Sequence, residues 1–205
     1  MLQAARPIAQ ALIFFDTPEL FTSDKAMAAQ KREVYTCHSR GWDAVRDIPI
    51  MEWMRKYTLE VFDPAWNDKA TMEPHHTKDF VYVNTDGTEY KGFDASFAAI
   101  QELYAPFATG FYHSPRFWTC WETEDGGWEM MGNADFYAKL PEGSGSRDHK
   151  DELGQSWDLK LPSMFHFLYV KDSSAPSGFL LKRTEVYADT FPAIQEMMKR
   201  GLIKQ

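Results

Sequence analysis

Residues 111–140 read FYHSPRFWTCWETEDGGWEMMGNADFYAKL. Two long aromatic-rich runs flank Asp125-Gly126-Gly127. Asp-Gly between such runs is the strongest short-range signal for a β-hairpin, because the glycine supplies the positive φ that a tight turn needs. Each run is about twelve residues long, against about five or six for a common strand. Hairpins of that length bend, and a bent sheet wraps something. What it wraps decides both the fold and the function.

On the C-terminal side, Trp157–Lys171 and Phe179–Tyr187 read as two further strands joined by the turn at Ser173–Gly178. A C-terminal helix comes next over Thr190–Arg200, with Asp189 or Thr190 as cap and Gly201 as stop. The polar, glycine-rich run Glu142–Gln155 reads as an exposed, mobile loop. On the N-terminal side, Phe97, Ile100, Leu103, Tyr104 and Phe107 recur at helical spacing, so Ser96–Phe107 is a helix. Asp79–Thr85 and Thr88–Phe93 form a strand pair turned by Asp86-Gly87. The longest helix is expected over Asp43–Phe62. Pro49 falls near its first turns and marks an alternative start, with Asp47 as cap, and Asp63-Pro64 ends it. A short helical or looped piece covers Trp66–His76. Asp24–Gly41 reads as a further helix and residues 1–24 as an arm, with a short helix at Ala5–Phe15. The order is helices, a strand pair, a helix, then an antiparallel meander. That is α+β rather than alternating βαβ. The expected division is an arm and helix over 1–42 and one α+β domain over 43–205.

A chain of 205 residues suits one domain with terminal extensions. The net charge of −8 argues against a nucleic-acid backbone or an anionic membrane as partner. Aromatics make up 15% of the chain, and seven tryptophans suit a core or a pocket for flat apolar ligands. Two cysteines, Cys37 and Cys120, make neither a disulfide framework nor a metal cluster, and suit a reducing compartment. Asp16 interrupts the apolar run Ala11–Phe15, so no secretory signal is expected and the cytoplasm is the expected location. No run approaches the roughly eighteen apolar residues of a membrane span. The sequence carries no phosphate loop, Gly-x-Ser-x-Gly elbow or nucleotide fingerprint. Kinases, dehydrogenases and serine hydrolases are therefore disfavoured, and no cofactor is expected.

The run Asp86-Gly87-Thr88-Glu89-Tyr90-Lys91-Gly92 before the middle helix, and Gly132-Asn133-Ala134 in the hairpin, carry a resemblance. Over roughly Asp43–Tyr187 the chain resembles the nuclear-transport-factor-2-like (SnoaL-like) superfamily. Its fungal members are the most similar, continuing past a Trp-Asp strand (Trp157-Asp158) to a phenylalanine-rich one. The resemblance implies a cone-shaped, curved antiparallel sheet packed on N-terminal helices (a cystatin-like α+β barrel). The N-terminal arm and the C-terminal helix are extras. It also implies dimerisation through the outer sheet face, where Met131, Tyr137 and His166 fall. The superfamily holds cyclases, isomerases, dehydratases and pure binding proteins, so the fold does not select a function.

Period-two reading assigns the strand faces. Trp128, Met130, Gly132, Ala134, Phe136 and Ala138 share an apolar face whose small central residues leave room for a pocket. Trp157, Leu159, Leu161, Phe165, Phe167 and Tyr169 share another. Phe111, His113, Phe117 and Trp121 share a third if Pro115 adds no bulge. His113, set among aromatics, is the sharpest candidate for a base. A histidine bonded to a backbone carbonyl, or an exposed one, is the alternative. The resemblance adds that scytalone dehydratase uses a histidine on the strand after the middle helix; its second pocket histidine has no clear match here. Tyr57, on one helix face with Trp53, is a candidate proton donor or carbonyl-orienting group, or a core residue. His75-His76 invites a metal reading, but adjacent residues rarely chelate together and no partner has ligand spacing. Asp135 faces solvent or an interface unless the faces are inverted.

The expected catalytic residues are thus His113 and Tyr57. The expected substrate-binding residues are Trp53, Phe117, Trp121, Met130, Phe136, Trp157, Phe165 and Phe167. The leading reading is a cofactor-independent cyclase, isomerase or dehydratase acting on an apolar small molecule of secondary metabolism. The alternative is a non-catalytic module that binds a small hydrophobic ligand or forms a dimeric interaction surface.

Overall fold

The computed structural model describes residues 33–43, 47–141 and 148–203. The expected arm over residues 1–24 lies outside them. The chain order is β1 (Val34–His38), α1 (Pro49–Lys56), a π-helical segment (Tyr57–Phe62), α2 (Asp63–Ala65), α3 (Lys69–Met72), β2 (His76–Val83), β3 (Glu89–Lys91) and α4 (Phe93–Tyr104). Then come β4 (Phe111–Glu122), β5 (Trp128–Ala138), the short β6 (His149–Lys150) and β7 (Ser156–Trp157), β8 (Leu159–Lys171), β9 (Phe179–Ala188) and α5 (Phe191–Lys199). One sheet has the order β1-β4-β5-β8-β9-β2-β3. Its pairings are antiparallel except that β2 lies parallel to β9. The fold is α+β with a curved antiparallel sheet, as expected.

The central hairpin is in place. Gly126 turns it at φ 76°, and Phe111 pairs with Ala138 at its open end. Close approach explains Gly132. A Cβ there would stand 2.7 Å from the Phe117 carbonyl oxygen and 3.0 Å from Trp118 Cβ. Only a glycine lets β4 and β5 meet that tightly where they bend.

Several expectations are corrected. Residues 34–38 are a strand on β4, not part of a helix over 24–41. Val34, Tyr35 and Thr36 favour a pleated edge. The sheet therefore includes residues ahead of position 43. Pro49 does open α1, but the cap is Ile48, whose carbonyl takes the Met51 and Glu52 N–H groups; Asp47 does not cap it. Asp63-Pro64 does not end the helix. Proline is tolerated in a first helical turn, and α2 carries on to Ala65.

The strand expected over 157–171 breaks at Asp158, whose N–H reaches Ala138 O while its carboxylate takes the Leu140 N–H. Side-chain parity is lost across that break. Trp157 falls on the outer face, stacked on Tyr112 and tilted against Tyr137, with its indole N–H on Asp151 Oδ2 at 2.9 Å. The described part of the polar loop is tied down too. Buried Asp151 accepts from the Leu153 and Gln155 N–H groups, and Glu152 accepts from Tyr112 and Ser114 hydroxyls at 2.7 Å each. Tyr137 is consequently covered rather than offered to a partner.

Candidate active site

The helical run α1–π–α2 lies across the concave face of the sheet. Met51, Met54, Tyr57, Thr58 and Phe62 point from it into a cavity of about 110 Å³. A single water centre needs roughly 10–15 Å³, so the space suits an organic molecule of on the order of ten heavy atoms. The sheet supplies Phe117, Trp118, Met130, Gly132, Phe165 and Phe167, and α4 supplies Ile100 and Tyr104. The walls are almost wholly apolar. The polar side chains that matter form two Tyr–His pairs.

The first pair centres on His113. β4 carries it inward among the rings of Phe62, Phe111, Phe136 and Phe165. Its Nδ1 lies 2.9 Å from Asp63 Oδ1, the two side chains being only 9% and 11% exposed. A carboxylate accepts, so Nδ1 carries a hydrogen, and in the neutral imidazole Nε2 holds the lone pair. The Tyr104 hydroxyl donates to that lone pair at 3.1 Å. Asp63 reaches this position through the π-helical segment, in which its N–H bonds to Thr58 O, five residues back. One extra residue in a turn rotates the next part of the helix by about 100°. The second Asp63 oxygen, Oδ2, is buried without a hydrogen-bond partner among the described residues.

The second pair is Tyr57 and His76. His76 Nδ1 donates to Met72 O at 2.8 Å, and its Nε2 accepts from the Tyr57 hydroxyl at 3.1 Å. Burial holds the His76 imidazole down to about 4, so it is neutral. Burial, and then the charge of Asp63, pushes the Tyr57 phenol well above its ordinary value. Tyr57 has spent its hydrogen on His76. It presents the cavity with acceptor lone pairs, not the donor that the sequence suggested.

Of the expected pocket residues, Tyr57, His113, Phe117, Met130, Phe165 and Phe167 line the main cavity. Phe136 lines a smaller adjoining cavity that shares His113, Tyr104 and Phe165. Three do not line either. Trp53 stacks behind Tyr57 at 4.9 Å and spends its N–H on Pro176 and Phe179 carbonyls. Trp121 fails because β4 shifts register between Pro115 and Phe117, which turns Trp118 and buried Cys120 inward instead. Trp157 is on the outer face, beyond the break at Asp158. Asp135 is on the outer face as expected, though buried, where it meets Arg116 and Lys160.

Sequence reasoning missed Asp63, Tyr104 and His76 as members of the site. In the sequence Tyr104 shows only as one of the apolar positions repeating at helical spacing over Ser96–Phe107. His76 was set aside with the metal reading. No group of three or more His, Cys, Asp or Glu side chains among the described residues is placed to hold a metal. No helix among them is long and apolar enough to cross a membrane.

No family model and no curated protein matches this sequence. Solved structures do. The chain is similar to Aln2 from a Streptomyces species, with 11% identity over 72% of this chain and 93% of that one, at a TM-score of 0.52. Nuclear transport factor 2 from Cryptosporidium parvum has 11% identity over 67% of this chain and 90% of that one, at 0.47. A LinA-type hexachlorocyclohexane dehydrochlorinase from Novosphingobium barchaimii has 12% identity over 69% and 84%, at 0.48. The likeness is one of fold. A fold does not select between binding and catalysis, so that choice rests on the site.

Proposed function

We propose that the protein is a cofactor-independent lyase or isomerase that removes a proton from a small apolar molecule of secondary metabolism. The observation that carries this is the buried Asp63–His113 pair set into the wall of an apolar cavity. Asp63 fixes the imidazole tautomer and offsets the charge that His113 gains with a proton, the role of the carboxylate in other Asp–His pairs. Proton transfer of this kind needs no cofactor. The electron pair left on the substrate expels a leaving group, shifts a double bond or closes a ring, giving dehydratase, isomerase or cyclase outcomes. Tyr57 accepts from a hydroxyl or N–H on the substrate, and Phe117, Met130, Phe165 and Phe167 hold its apolar body. The proposal includes a cytoplasmic setting, kinship with fungal members of the superfamily, and a homodimer through the outer face, where Met164 and Tyr187 are exposed.

The test uses nitrobenzisoxazole, which ring-opens when a base takes its carbon-bound hydrogen and so reports on a base in an apolar pocket. The wild type is expected to accelerate ring opening over buffer, and His113→Ala to lower that rate by about 10²-fold or more. A wild-type rate equal to buffer, or an unchanged variant, overturns the base assignment. One observation favours the rival, a non-catalytic binding module: the His113 lone pair is already engaged by Tyr104. An apolar metabolite that co-purifies and survives incubation unmodified, seen by mass spectrometry, supports that rival.

A further inference from the structure

We infer that Tyr104 is the residue that takes the substrate's proton, and that His113 acts behind it as the proton store. The inference rests on the reading of Asp63–His113 as the base and adds which atom meets the substrate.

A neutral imidazole has one N–H and one lone pair. Asp63 Oδ1 holds the N–H at 2.9 Å and the Tyr104 hydroxyl holds the lone pair at 3.1 Å. Nothing basic on His113 is left facing the cavity. Nor is Tyr104 free to swing aside. It ends α4, buried, and its ring sits against Phe62 and Phe136 edge-on at 5.1 and 5.8 Å and against Phe111 at 4.9 Å. Displacing it would break several aromatic contacts at once. Its oxygen, however, keeps lone pairs of its own, and the residue lines the cavity.

The step balances without any further reactant. The substrate C–H or O–H bond breaks and its proton joins the Tyr104 oxygen, while the original phenolic hydrogen moves to His113 Nε2. The electron pair stays on the substrate and departs with the leaving group or forms the new double bond. Tyr104 is a neutral phenol before and after, and His113 ends as the cation beside the Asp63 carboxylate. Burial raises this phenol well above its ordinary value, so a separate phenolate is disfavoured and both hydrogens move together.

The molecule carries its own contrast. Tyr57 and His76 repeat the hydroxyl-to-Nε2 contact at 3.1 Å, but the imidazole is backed by the neutral Met72 carbonyl in place of a carboxylate. No carboxylate among the described residues is hydrogen-bonded to His76 to balance a stored proton. Of two similar pairs on one cavity, only the pair with Asp63 behind it can work as a relay.

Tyr104→Phe removes a single oxygen and separates the two possibilities by sign. A relay requires ring opening of nitrobenzisoxazole to fall by about 10²-fold, as for His113→Ala, and the double variant to be no worse than either single one, as for residues acting as a unit. If Tyr104 only blocks the base, Tyr104→Phe uncaps Nε2 and the rate holds or rises, which overturns the relay while leaving the base assignment intact. A second measurement needs no variant. The probe's carbon-bound hydrogen does not exchange with solvent, so the relay requires wild-type turnover, compared where its rate does not vary with pH, to slow in heavy water, where the Tyr104 hydroxyl carries deuterium. An identical rate in heavy and light water overturns the relay.

Discussion

His113 Nδ1 stands 2.9 Å from Asp63 Oδ1, joining a strand and a helical turn fifty residues apart in the chain. His113 is buried and Asp63 mostly so, and one carboxylate oxygen is left without a protein partner among the described residues. Such an arrangement costs stability and is kept where chemistry needs it.

Asp63→Asn keeps the shape and removes the charge. Nitrobenzisoxazole ring opening is expected to fall by about 10²-fold or more. Urea unfolding is expected to show equal or higher stability, since a buried, half-satisfied charge has become a neutral amide. A variant that loses stability and keeps its rate would assign Asp63 to the scaffold.

His76 sets an acid limit on the fold. Its folded value is lowered from 6.5 to about 4 by burial. Between those values the unfolded chain binds a proton that the native protein does not, so this contribution is complete above about pH 6.5 and is lost as pH falls toward 4. The loss is on the order of 3 kcal/mol. Urea unfolding from pH 7 to 4 should show it, and His76→Gln should flatten that slope.

Arg200 locks α5 onto the break at Asp158. Its Nη1 lies 3.1 Å from Asp158 Oδ1, and both side chains are 2% exposed. Arg200→Ala takes the cation away from the buried Asp158 carboxylate, which keeps the Leu140 N–H, and is expected to cost about 3–5 kcal/mol in urea unfolding. Lys69→Ala, which breaks a 2.7 Å pair to the largely exposed Asp94, is the comparison and should change stability by about 1 kcal/mol or less.

Much of the fold was legible because it is written in local patterns. Asp125-Gly126 marks the hairpin, Pro49 opens α1, and Phe97, Ile100 and Tyr104 share one face of α4. The alternation Met130, Gly132, Ala134 put the hollow on the correct side of β5. Parity then failed where the backbone departs from a regular strand. The register shift after Pro115 removed Trp121 from the cavity and brought in Trp118, and the bend at Asp158 put Trp157 outside. Neither departure has a signature that hydrophobic periodicity detects.

The order of residues along the chain was enough to specify the α+β class, the long hairpin, an apolar concave face and a histidine upon it. Each of these comes from the spacing of neighbouring residues. Folding in three dimensions settled what that histidine can do. Whether its nitrogens meet solvent, a carbonyl, a carboxylate or a phenol depends on Asp63 and Tyr104, which come from two other helices. Their approach is set by one extra residue in a helical turn and by the bend of the sheet. Hydrogen bonds form across space between groups whose separation along the chain carries no record of the contact.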